Sequence, residues 1–112
     1  MSGFELTKEF NEKRELLDVA IRELKKRGQI KAQAEHDYKV DNAKLMFTLR
    51  EKDNIPVTII KDMCMGDPHI AKLRMERDLA KSMYESNQQK IYQLKLEIGI
   101  IERQISTDRR GQ

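Results

Sequence analysis

The residues able to do chemistry are few, and their spacing excludes most of it. The chain has two histidines, His36 and His69, and a single cysteine, Cys64. No HxxxH, CxxC or Glu-x-x-His pattern occurs, so no local set of metal ligands forms. Cys64 stands between Met63 and Met65 without a nearby base, which suits a small core residue better than a nucleophile. Gly66 is alone, so no glycine-rich phosphate loop exists. The abundant carboxylates read as partners of Lys and Arg one helical turn away. The expected protein is not an enzyme and carries no metal and no cofactor.

One constellation points to ligand chemistry. In "MCMGDPHIAKLRMER", residues 63–77, a glycine and an Asp-Pro pair lead directly into His69, Lys72, Arg74 and Arg77. A helix that starts there turns free backbone N–H groups toward solvent and places four basic side chains in its first three turns. Together they can hold phosphates. The competing reading has Asp67 capping the helix while the basic residues pair with Glu76 and Asp78 at the surface. Tyr38 and Tyr84, with Tyr92, are packers of the helix seams, and Tyr38 or Tyr84 is also the candidate for stacking on a ligand base. A second cluster, "RELKKRGQIK", holds Arg22, Lys25, Lys26, Arg27 and Lys31. It lacks interleaved aromatics, and Asp18 and Glu23 dilute it, so a solvated face is favoured over a nucleic-acid contact.

The elements that must position these residues are helical. Charged residues make up 37% of the 112 positions and aromatics 5%, the profile of long helices and not of a mixed sheet. From Glu5 to Lys52 no proline occurs, and Phe10, Leu17, Ala20, Ile21 and Leu24, then Ile30, Ala34, Tyr38, Leu45 and Leu49, follow helical spacing. Gly28 weakens this helix by roughly 1 kcal/mol relative to Ala, with a break or a close helix contact there as the alternative. "DNIP" ends it. A short helix over about 56–65 follows, with Pro56 in its first turn, Val57, Ile60, Met63 and Cys64 inward, and Gly66 as the left-handed residue that ends it.

Asp67 and Pro68 then start a third helix over about 68–106 as N-cap and first-turn proline. Positions 70, 73, 77, 80, 84, 87, 91, 94, 98, 101 and 105 alternate steps of three and four, and nine of the eleven hold apolar residues or Tyr. That is a coiled-coil seam over five heptads. Arg77 and Asn87 interrupt it, Arg77 either setting register against an acid or entering a pocket between subunits, Asn87 as a buried register-setting polar residue. Residues 107–112 form a frayed tail.

The expected fold is all-α: one domain, a long antiparallel helical hairpin with a short helix at the turn. A two-helix hairpin buries only the stripe between its arms. Leu79, Met83, Leu96, Ile100, Met46 and Phe47 lie off that stripe and call for other copies, so a homodimer or larger assembly is expected. A net charge of +3 is too balanced to imply nucleic acid or membrane by itself. A lone cysteine and the lack of any ~18-residue apolar run place the chain in the cytoplasm.

From about residue 15 to 105 the chain resembles small early-region proteins of temperate phages and prophages of Gram-positive bacteria. Their pattern runs A-x-E-x-D-Y, P-V-T-x-I, x-G-D-x-x-I-A-x-L-R-x-x-R-D-x-A and a closing L-E-x-Q-I. Here Pro56, Val57, Thr58, Ile60, Gly66, Asp67, Ile70, Ala71, Leu73, Arg74, Arg77, Asp78 and Ala80 match the middle elements. In the first element Ala34 directly precedes Glu35, so only Asp37-Tyr38 matches closely. The resemblance implies a phage origin, action in the host bacterial cytoplasm and stoichiometric binding. One class of such proteins sequesters cyclic or ADP-ribose-type nucleotide immune signals with basic residues at subunit interfaces. On that reading His69, Lys72, Arg74 and Arg77 bind phosphates and Tyr38 or Tyr84 stacks. The alternatives are a protein–protein inhibitor or accessory module acting on a host or phage protein of replication or recombination, and a DNA-binding accessory factor.

Overall fold

A computed structural model describes residues 2–111, and among them every regular element is an α-helix. Helix α1 is Gly3–Glu51, α2 is Val57–Gly66 and α3 is Pro68–Arg110. No helix among the described residues is long and apolar enough to cross a membrane. The chain divides into two compact units. One holds the residues up to Lys26 and those from Tyr84 onward, and the other holds Arg27–Met83.

Local chemistry sets the helix ends. Ser2 and Glu5 form a capping box: Glu5 N–H donates to Ser2 Oγ at 3.2 Å, and Ser2 N–H to Glu5 Oε2 at 3.3 Å. This starts α1 two residues before the expected Glu5. The helix runs through Gly28 without a break. Asn54 ends the segment with φ of 54°, a left-handed conformation that Asn tolerates, and Ile55 N–H returns to Leu49 O at 2.9 Å. Pro56 sits just before α2 and not inside its first turn.

Gly66 is the last residue of α2 and has no positive φ, contrary to the expectation. The extended Asp67, with φ of −66° and ψ of 126°, ends that helix instead. Asp67 also begins the next one, its Oδ2 accepting the Ile70 N–H at 3.1 Å as an N-cap should. One residue thus closes α2 and opens α3. Helix α3 also runs past its expected end near 106 and continues to Arg110.

The α3 seam is a packing surface. Ile70, Ala80, Ile91, Leu94, Ile98 and Ile101 are buried, and the other five seam positions are half-buried. Its counterpart on α1 differs from the expected stripe. Leu6, Phe10, Lys13, Leu17, Ala20, Leu24, Arg27, Lys31, Ala34, Tyr38, Asp41, Leu45 and Thr48 also alternate steps of four and three, and none is exposed. Ile21 and Ile30, expected inside, are 47% and 56% exposed.

In the first unit Ala20, Ile91 and Leu94 form a core with Leu17 and Leu24 packed on it. Lys13 Nζ meets Glu97 Oε2 at 2.9 Å, and Asn87 Nδ2 donates to Ala20 O at 2.9 Å. In the second unit Leu49, Ile60 and Cys64 form a core with Leu45 and Ile55. Of the four α2 residues expected inside, Ile60 and Cys64 are buried, whereas Val57 and Met63 are exposed. Tyr92, expected to pack, is exposed too.

Candidate functional site

Within the second unit, α1, α2 and α3 meet around a cavity of about 270 Å³ lined by Tyr38, Asn42, Met46, Lys61, Cys64, Met65 and Arg74. Tyr38, Asn42 and Met46 are spaced four apart on α1 and so share one face of it. Lys61, Cys64 and Met65 do the same on α2 at steps of three and four. Arg74 reaches in from α3. None of the seven lining side chains is a carboxylate, and two of them are cations.

Arg74 is the distinctive group. Its Nη2 donates to the Met65 carbonyl at 3.1 Å, an acceptor freed by the end of α2. Its Nη1 is buried and has no hydrogen-bond partner among the described residues. A desolvated charged donor without an acceptor is costly, at roughly 1–3 kcal/mol or more, so it marks a place where a ligand oxygen would be welcome. Lys61 adds a second cation and Asn42 an amide. The Asn42 Nδ2 makes only a weak 3.7 Å contact to Met46 Sδ.

Cys64 forms part of the cavity wall and not a reactive group. Burial, and then the charge of Asp67, push its thiol above the ordinary value. Among the described residues no three His, Cys, Asp or Glu side chains cluster as a metal site.

The predicted residues fare unequally. Arg74 and Tyr38 are brought together in the cavity. Arg77 lies over the Tyr38 ring with its guanidinium carbon 4.4 Å from the centroid, and it also bonds Asp78 Oδ1 at 3.0 Å. Arg77 therefore acts as a clamp on Tyr38 and, through its charge, helps hold the Glu35 carboxyl low, a shift led by the Lys31 hydrogen bond. At the seam its acid is its own neighbour Asp78 and not one from a facing helix.

His69 is turned to α1, its Nε2 2.7 Å from Asp41 Oδ2, and does not line the cavity. Lys72 is exposed and lines no part of it either. Tyr84 belongs to the other unit. Lys61 and Asn42 escaped the sequence reading; the only signal was that Lys61 stands three residues before Cys64, on the same helical face.

The basic cluster of α1 divides in the same manner. Arg22, Lys25 and Lys26 are exposed, whereas Arg27 and Lys31 lie on the half-buried seam, with Lys31 Nζ 2.9 Å from Glu35. A larger concavity of about 530 Å³ in the first unit is lined by Phe10, Glu102, Ile105 and Arg109 among others. It contains none of the predicted ligand-binding residues. Compared with family models, curated proteins and solved structures, the chain matches none.

Proposed function

We propose that this is a non-enzymatic binding protein of phage origin that self-associates and takes a small phosphate-bearing anion in the Arg74 cavity. The ligand class is a nucleotide immune signal of cyclic or ADP-ribose type, sequestered in the host cytoplasm. The observation carrying this reading is that Arg74, whose Nη1 is buried and unpartnered, lines a cavity with a second cation and no carboxylate. Phosphate supplies what that donor lacks: strong acceptor oxygens and negative charge.

The contacts within each unit support an antiparallel hairpin of α1 and α3. Lys13 meets Glu97 while Ala20 meets Asn87 in one unit, and Tyr38 meets Arg77 while Asp41 meets His69 in the other. The phosphate set is accordingly Arg74 with Lys61, and His69, Lys72 and Arg77 leave the contact list. Tyr38 presents an edge or its free face, because Arg77 covers the other.

Thermal unfolding with cyclic dinucleotides, cyclic mononucleotides, ADP-ribose and inorganic phosphate tests this. A ligand at 100 times its Kd stabilises by about 2.7 kcal/mol, which is several degrees of Tm for a chain of this size. The shift should vanish in Lys61→Met and Arg74→Met. No shift with any of the compounds removes the proposal.

A second reading, docking on a host or phage protein, is favoured by one feature. Met46, Phe47 and Val57 line an exposed apolar groove beside Arg50 and Glu51, and Phe47 is 62% exposed. On that reading Phe47→Ser abolishes co-purification of one partner, while Arg74→Met does not.

A further inference from the structure

The outward face of α3 carries a second stripe. Met75, Leu79, Ser82, Ser86, Gln89, Gln93, Leu96 and Ile100 alternate steps of four and three along the one helix, and all eight are exposed. None is charged. Of the other eleven positions between 75 and 100 that lie off both this stripe and the buried seam, seven are charged. A solvent-facing stripe with the coiled-coil period and no charge, on a helix otherwise rich in charge, is the pattern of a helix–helix contact.

The order of residues along the stripe identifies the occupant. Read from either end it runs apolar, apolar, four polar, apolar, apolar. Turned end for end about a point between Asn87 and Gln88, it places Met75 against Ile100, Leu79 against Leu96, Ser82 against Gln93 and Ser86 against Gln89. Apolar meets apolar and polar meets polar at every layer. Sliding by one heptad would set Leu79 against Gln89 or against Arg103, so the central polar layers fix the register. A parallel pair matches any sequence with itself and asks for no such symmetry. An antiparallel pair, whose two-fold axis crosses the helices, matches apolar to apolar at every layer only with it. The stripe stops at a basic residue on each side, Lys72 and Arg103, one step beyond its ends.

We infer that α3 pairs antiparallel with α3 of a second copy through this stripe, with the two-fold axis between Asn87 and Gln88. The contact is about 38 Å long at ~1.5 Å per residue, near four heptads. It rests on the self-association proposed above and specifies its geometry, independently of the anion cavity.

Sedimentation equilibrium at micromolar concentration tests it with the intact chain and two double variants. Leu79 and Leu96 are 57% and 46% exposed, so charges there leave the fold intact, which circular dichroism verifies. The wild type should weigh twice the 13.2 kDa chain. Leu79→Lys with Leu96→Lys should be monomeric, its dimer constant weakened at least 100-fold. Leu79→Lys with Leu96→Glu should stay dimeric, because each Lys then faces a Glu of the other copy.

A monomeric wild type overturns self-association altogether. A wild-type dimer that the Lys–Lys variant leaves intact keeps self-association and overturns this face. Dissociation of the Lys–Glu variant as well overturns the antiparallel register in favour of a parallel one.

Discussion

At the residue scale, three side chains decide how the site and the seam behave. Arg74 holds the end of α2 with one nitrogen and keeps the other buried without a partner, and Lys at this position would keep the charge but lose the fork. Cys64 is buried, and its raised pKa leaves less thiolate at any given pH than a free cysteine has. Alkylation by iodoacetamide at pH 8 is therefore expected to be at least tenfold slower in the native chain than in urea; equal rates would place the thiol at the surface. Asn87 spends a seam position on one hydrogen bond to the Ala20 carbonyl. Replacing it by Leu should raise stability by about 1 kcal/mol in urea titration while loosening the choice of register. A loss of stability would show the bond to be worth more than apolar burial.

At the element scale, the short spacing between α2 and α3 rests on Asp67. Its backbone N–H donates to Cys64 O at 3.2 Å and its carboxylate caps α3. Asp67→Ala is expected to cost about 1 kcal/mol, the ordinary worth of a cap, with Asp67→Asn or Ser recovering most of it. An unchanged melting curve for the Ala variant would remove the cap from the account.

The elements also show what the residues alone disclosed. The α3 seam was readable because eight of its eleven positions are Ile, Leu or Ala, and every one of those eight is buried or half-buried. The α1 seam was not, because Lys13, Arg27, Lys31, Asp41 and Thr48 occupy five of its thirteen positions. Hydrophobic periodicity cannot register a polar residue that is half-buried through its stem or its ion pair, as Lys13 is with Glu97. That gap drew Ile21 and Ile30 into the expected stripe. The cavity was half-legible for a similar reason. Arg74 announced itself within a basic run, whereas Lys61 and Asn42 joined it only through the packing of three helices. The basic run itself misled, since successive helical residues point in different directions and only one of its four basic residues lines the cavity.

For the whole molecule, self-association and anion binding are separable claims with separate signatures. In the antiparallel pairing the charges that meet are alike: Lys72 lies toward Arg103 of the other copy and Glu76 toward Glu97. Each copy also carries a net charge of +3. Raising salt screens these repulsions, so the dimer should tighten between 50 and 500 mM NaCl. Weakening would instead indicate attractive pairs across the interface. Anion binding has the opposite salt response, since chloride competes for Arg74 and Lys61.

The most direct test of the binding claim is a calorimetric titration of the intact chain, beside Lys61→Met, with the phosphate-bearing nucleotides. Saturable heat at one nucleotide per chain, lost in the variant, is the expected result. Heat that the Lys61→Met chain retains unchanged, or none with any nucleotide, would contradict the assignment of the cavity.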